Sequence, residues 1–200
     1  MAVDALEIYN FLKEKNLLKN SPKYWWPNAG TFEVVVGAVL TQNTTWKNVE
    51  KSLQNLEGFL ELESFVTLQE HDLKEKIKPS GFYNQKAPRL LALSKNIQDT
   101  FGSFAVFQQE ITRSWLLEQK GIGQESADAI LCYGCFRDEM VIDTYTKHLL
   151  KTFGIEFKKY EEYKKFLEDA LRVAYPQDEI VKVFIDFHGM IVEYNKIYKL

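Results

Sequence analysis

Apolar residues in this chain recur at three- and four-residue spacing and almost nowhere alternate, so the pattern predicts helix after helix. Asp4, with Glu7 three residues on, reads as a capping box, and Leu6, Ile8, Tyr9, Phe11 and Leu12 give the following helix an apolar face. That helix is expected to stop near Leu18, because Asn20, Ser21 and Pro22 follow. Lys23-Tyr24-Trp25-Trp26-Pro27 is a short aromatic loop. Phe32 to Leu40 is apolar nearly all round and predicts a buried central helix. The β-branched run Val34-Val35-Val36 also fits a buried strand, but its length and its continuation into Gln42-Asn43-Thr44 favour helix. Further helices are expected over 46–56, 61–67, 70–77, 85–100, 104–109, 111–119, 125–135, 144–153, 158–174 and 179–194. In the penultimate one, Tyr160, Tyr163, Leu167, Ala170, Leu171 and Ala174 share one buried face. The fold class is all-α.

Length changes this picture little: 200 residues make one domain, or two small helical lobes sharing a core. Only 10 Gly and 5 Pro argue against a turn-rich β-sandwich, and a 46% hydrophobic content excludes wholesale disorder. The longest apolar run, Val34 to Leu40, is far short of the roughly 20 residues that a membrane helix needs, so no membrane association is expected. The start of the chain fits no secretory signal, and with just two cysteines a reduced, cytoplasmic protein is expected. A net charge of −3 weakens a nucleic-acid role without removing it, since a basic face can coexist with an acidic remainder. The 14% aromatic content exceeds what a small core needs and leaves rings for a binding site.

The most specific local signal is Leu116 to Ile130, two helical stretches joined by Lys120-Gly121-Ile122-Gly123. Glycines two apart permit positive φ and let backbone N–H groups approach an anion, and the helix that starts next adds its positive end. Such a hairpin grips phosphate without reading sequence. Taken alone, it also fits a plain tight turn with a glycine cap. Twenty residues beyond Gly123 stands Val141-Ile142-Asp143-Thr144, where a carboxylate opens a helix. Asp143 reads as an N-cap, a position whose N–H donors keep a carboxylate ionised, as one facing a developing cation must be.

The hairpin followed by Val-Ile-Asp-Thr resembles the helix-hairpin-helix/Gly-Pro-Asp superfamily of DNA glycosylases, the endonuclease III type. Val39-Leu40-Thr41-Gln42-Asn43-Thr44-Thr45 and Gly81-Phe82-Tyr83-Asn84-Gln85-Lys86-Ala87 look like two further family segments in the family's order. The resemblance spans roughly Phe32 to Lys147. It implies two helical lobes with the active site in the cleft between them: a central lobe of residues 30–137 carrying the hairpin, and a second from 1–29 plus 138–200. It also implies a partner, double-stranded DNA containing damaged bases, bound by a monomer. Asp143 is the implied catalytic residue. Gly121, Gly123, Lys120 and Lys86 are implied DNA contacts, with Arg89 and Lys147 nearby. Asn43, or Gln42, would fill the gap left by an extruded nucleotide, and Phe82 would wedge beside the estranged base.

Two departures sharpen the implication. Relatives usually hold an iron–sulfur cluster on four carboxy-terminal cysteines, whereas this chain has only Cys132 and Cys135, so no cluster is expected. Nor do His71, His148 and His188 show ligand spacing. No metal or other cofactor is therefore expected, apart from an optional monovalent cation on hairpin carbonyls. Relatives that also nick the strand place a nucleophilic lysine two residues after the hairpin's last glycine, and here that position is Glu125. A monofunctional enzyme that hydrolyses the base–sugar bond with water is expected.

Trp25, Trp26 and Trp46 are candidates for stacking a flipped base, although any one tryptophan is as readily a core anchor. Trp-Trp-Pro, the Gln-Asn-Thr segment followed by an aromatic residue, no cluster and no lysine together resemble the cluster-free 3-methyladenine glycosylases of the endonuclease III type. Alkylated purines are then the expected substrates. Two alternatives stay open: a mismatch-adenine, uracil or endonuclease III-like glycosylase, and a non-catalytic helix-hairpin-helix module that only binds DNA.

Overall fold

A computed structural model describes residues 3–198 and is helical throughout, with twelve α-helices and no strand among the described residues. The helices are α1 Ala5–Lys13, α2 Glu33–Leu40, α3 Trp46–Asn55, α4 Leu62–Phe65, α5 Glu70–Ile77 and α6 Tyr83–Phe101. They continue as α7 Phe104–Glu110, α8 Arg113–Glu118, α9 Gln124–Ala129, α10 Thr144–Thr152, α11 Tyr160–Ala174 and α12 Ile180–Tyr198. The chain divides into two compact units, residues 28–135 and residues 1–27 with 136–200.

The unit of residues 28–135 is built around α2. Every residue of α2 after Glu33 is buried, which settles Val34-Val35-Val36 as helix. A helix apolar all round is stable only when other elements cover it on every side. Phe32, just ahead of α2, meets Phe65 and Phe104 edge-on at centroid distances of 5.6 and 5.8 Å. The expected helix over 125–135 runs instead as α9 followed by a π-turn at Ile130–Gly134, which widens the backbone where Cys132 and Tyr133 are fully buried. Gln108 ties this turn down, donating from its amide to the carbonyls of Gly30 and Gly134.

Around α12, the second unit packs α1, α10 and α11. The predicted capping box is present: Glu7 N–H donates to the Asp4 carboxylate at 2.9 Å, and Asp4 N–H donates back to Glu7. Helix α1 ends at Lys13 and not near Leu18, because Asn16 adopts a left-handed φ of 52° that no α-helix continues through. Ile8, Leu12, Leu149, Leu167, Leu171, Phe184, Phe187 and Ile191 are fully buried together. On α11 the predicted face holds through Tyr163, Leu167 and Leu171, but Ala174 at its end is exposed.

Lys86 departs from the sequence reading. It was expected to contact DNA, yet it is 2% exposed and its ammonium donates to the carbonyls of Leu40 and Ser80, each at 2.8 Å. It thereby satisfies the end of α2 and the 3₁₀ turn at Lys78–Ser80. Burial pulls its pKa down to about 8. Replacing it with methionine keeps the length but leaves two buried carbonyls without a donor. Lys86→Met should destabilise the protein by about 1–3 kcal/mol, read from denaturant unfolding. An unchanged midpoint would show that the two carbonyls find water instead.

Candidate active site and nucleic-acid interface

Asp143 is the N-cap of α10, as its sequence context suggested. One carboxylate oxygen, Oδ1, accepts from Thr146 N–H at 2.7 Å and from the Thr146 hydroxyl at 2.9 Å. The other, Oδ2, lies 3.3 Å from His188 Nε2 on α12. Burial alone would push this carboxyl up, but the imidazole of His188 and the Thr146 donors outweigh it and hold Asp143 below its ordinary value. A partly buried carboxylate that stays charged is equipped to stabilise positive charge developing beside it.

Trp25 stands against the same histidine, the two rings edge-to-face at 5.3 Å. Its indole N–H donates to Glu193 Oε1 at 3.0 Å, and Lys196 Nζ donates to the same carboxylate oxygen at 2.8 Å. Lys196 also lies 5.9 Å from the centre of the Trp25 ring. Two backbone features admit the indole here. Trp25 itself takes a left-handed φ of 57°, and Gly189 presents no side chain to it. A Cβ on Gly189 would sit 2.6 Å from Trp25 Cγ. Trp26 turns away at 80° to its neighbour and is buried, so of the two adjacent indoles Trp25 is the one beside Asp143's histidine. Trp46 belongs to the unit of residues 28–135, at the start of α3, with its indole N–H on Glu50.

Within residues 28–135, the hairpin joins α8 to α9. Gly121 takes φ +88°, so the turn needs glycine for its dihedral, while the Arg89 side chain lies close against it. Gly123 is the N-cap of α9. Arg113 on α8 clasps the fully buried Asp128 on α9 through two nitrogens, at 2.6 and 3.1 Å, which fixes the angle between the two helices. Gln42 braces the turn from outside, donating to the Gly121 carbonyl and the Ser126 hydroxyl at 3.0 Å each. That amide is thus engaged within the chain, whereas Asn43, its neighbour, is exposed at a left-handed φ of 55°.

Beside the hairpin, Asn84, Gln85, Pro88, Arg89, Ala92 and Lys120 line an open groove of about 410 Å³. Phe82, the predicted wedge, is 59% exposed at φ 47°. An exposed phenylalanine in a left-handed conformation costs strain twice over, in its backbone and in its unburied ring.

Two groups escaped the sequence reading. His188 lies 45 residues after Asp143 and shows no metal-ligand spacing, and Gly189 reads as an ordinary glycine inside a helix. Their partners lie far away in sequence, so no local signal marks them.

The family model described as HhH-GPD superfamily base excision DNA repair protein matches residues 36–173, from α2 through the hairpin and Asp143 into α11. The chain belongs to the HhH-GPD superfamily. A crystal structure of an H. pylori 3-methyladenine DNA glycosylase bound to 1,N6-ethenoadenine is 46% identical in sequence, covers 99% of each chain and superimposes with a TM-score of 0.93. A Methanocaldococcus jannaschii protein named as a DNA repair glycosylase is 41% identical over 181 residues, 86% of this chain and 80% of its own. A trapped endonuclease III–DNA covalent intermediate shares the fold at a TM-score of 0.71 and 18% identity, covering 98% of this chain and 87% of that one. The expected all-helical fold and the expected DNA repair glycosylase both stand. The superfamily's iron–sulfur cluster finds no fit here: Cys132 and Cys135 are the only thiols, both are buried, and a cluster takes four.

The Gly189–Trp25 contact is open to direct test. Gly189→Ala should displace the indole and destabilise the fold by about 1–3 kcal/mol through overpacking. Trp25 emission, isolated by difference against Trp25→Phe, should move toward that of a solvated indole. Unaltered emission in a folded Gly189→Ala protein would show that the glycine is not the seat of Trp25.

Proposed function

We propose that this HhH-GPD protein is a monofunctional glycosylase that excises alkylated purines, of the 3-methyladenine kind, from duplex DNA. The observation that carries this reading is a partly buried carboxylate, Asp143, kept ionised at the start of α10, with the aromatic ring of Trp25 against its histidine partner. The 46% identity to a 3-methyladenine DNA glycosylase supports the substrate class.

A purine alkylated on a ring nitrogen carries positive charge, so its glycosidic bond is already weakened and the base leaves neutral without being protonated. What such a reaction asks of the protein is a stacking surface for the cation, a negative charge to face the sugar as it becomes oxocarbenium-like, and a water. Stacking on an aromatic ring is worth about 1–3 kcal/mol, and a cationic base gains further attraction to the π face. Trp25 supplies that ring and Asp143 the charge. Asp143 also orients the water that adds to the sugar, leaving an abasic site.

Access to a base inside a duplex requires extrusion, at a cost of a few kcal/mol. Phe82 and Asn43, both held exposed in left-handed conformations, are the groups offered to the vacated stack. The hairpin N–H groups, with Arg89 and Lys120 in the adjoining groove, hold the phosphate backbone. Glu125, exposed on the first turn of α9, stands where a strand-nicking relative would carry its lysine. No imine with the sugar is therefore expected.

Two experiments separate the parts of this reading. Asp143→Asn keeps an N-capping side chain but removes the charge, so release of 3-methyladenine from methylated duplex should fall by at least about a thousandfold, with DNA binding and thermal stability nearly retained. Turnover close to the parent level would overturn the assignment of Asp143. Borohydride added during reaction should trap no covalent protein–DNA species, and strand breaks should appear only after alkali. A strong trapped band would mean that an amine of this chain attacks the sugar.

A further inference from the structure

His188 has no place in the phosphate-gripping hairpin, in any metal set or in the core packing alone. It is 3% exposed, yet its ring faces two functional groups. Nε2 lies 3.3 Å from Asp143 Oδ2, and the ring meets Trp25 edge-to-face, 88° between planes. The opposite carboxylate oxygen already accepts two hydrogen bonds from Thr146. That cap fixes Oδ1 but leaves the carboxylate plane free to pivot about it, and His188 is the group standing against the oxygen that would swing.

We infer that His188 is a positioning residue for base release: it sets the plane of the Asp143 carboxylate and, through the same ring, the place of Trp25. The inference rests on the reading of Asp143 as the group that faces the sugar. A flipped base is then stacked and its sugar carbon presented to a carboxylate by one rigid link, and not by two side chains that move independently. Gly189, next in sequence, completes the link, since only a residue without a side chain lets Trp25 pack so closely on α12.

The same contact governs the charge on Asp143, because His188 heads the influences that oppose burial there. Other charged groups on the surrounding elements are engaged elsewhere. On α12, Glu193 is bound by Trp25 and Lys196, and Lys182 pairs with Asp186. On α10, Lys147 lies over Tyr163, while Tyr145 and His148 follow on the outward, exposed side. On α11, Lys164 pairs with Glu139 and Glu168, and on α1 Glu7 bonds the Asp4 backbone.

The test uses the full-length protein and its His188→Ala and His188→Gln variants. The Asp143 carboxyl is titrated by carbon-13 NMR, with Asp143→Asn identifying its signal. In His188→Ala the carboxyl should titrate higher than in the parent, and glutamine, which retains an N–H donor, should restore part of the difference. The acid limb of single-turnover 3-methyladenine release should move up by the same amount, because the carboxylate must be ionised to act. Affinity for an abasic-site duplex should change by less than about threefold. If alanine unfolds the protein, His188→Gln carries the same comparison alone. An Asp143 titration unmoved in a folded variant would overturn the inference, whatever the activity. A moved titration in a protein that never releases 3-methyladenine would leave the pairing standing and sink the substrate reading instead.

Discussion

Withdrawal of one carboxylate from most of its water sets the terms for the segment that carries it. An ionised aspartate taken out of water loses far more than any single hydrogen bond returns, so it must be protonated or surrounded by donors. Asp143 is surrounded: the first turn of α10 supplies an N–H and a hydroxyl, and α12 supplies an imidazole. The segment leading to it is fixed as firmly. Met140 N–H donates to Glu168, Ile142 N–H donates to the Tyr160 hydroxyl, and Arg172 holds both the side chain and the carbonyl of Asp138. Helix α11 thus holds the run 138–142 while α12 receives its end. A fully buried cluster of Ile8, Leu149, Leu167 and Phe184 keeps these helices in place.

Strain is distributed with the same logic. Among the described non-glycine residues with positive φ, three are asparagines, Asn16, Asn28 and Asn43, the type that tolerates it. The other three are aromatic: Trp25, Phe82 and Phe136. No local preference places a bulky ring there, so the surrounding structure must hold it. Trp25 is held by Glu193 and the bare face of Gly189, and Phe136 by a tilted ring contact with Tyr24 at 4.8 Å. Phe82 has no comparable burial, and its unburied ring is what a wedge for a base stack requires.

Local signals carried much of this into the sequence. Helix period gave the buried character of α2 and the packed face of α11, the Asp4–Glu7 spacing gave a capping box, and the two glycines gave the turn. Asp143 was legible because an N-cap is a local device whose donors come from the next turn. What stayed hidden depends on distant partners. Lys86 reads as one more surface cation until the carbonyls of Leu40 and Ser80 are seen around it. Gln42 reads as a DNA contact until the hairpin 79 positions later claims its amide. The stop of α1 at Lys13 turns on one asparagine's φ, which spacing does not encode. His188 is the extreme case, a lone histidine on a buried helix whose meaning lies wholly in what tertiary packing brings against it.

The acidic balance of the chain, −3 overall, sits easily with duplex binding once the charges are located. Many of the acids are held in local pairs, Glu70 with Lys74, Glu75 with Lys78, Asp169 with Lys165 and Asp186 with Lys182, which cancel at a distance of one helical turn. Arg89 and Lys120 are gathered instead on the groove beside the hairpin, where backbone N–H groups and the start of α9 add partial positive charge without any further side chain. Affinity for phosphate therefore depends on where neutralisation is incomplete, not on the sum. The same reasoning applies at Asp143. Its charge is matched by the Thr146 donors and the His188 imidazole. In the proposed reaction, that carboxylate is the group that meets a sugar turning cationic.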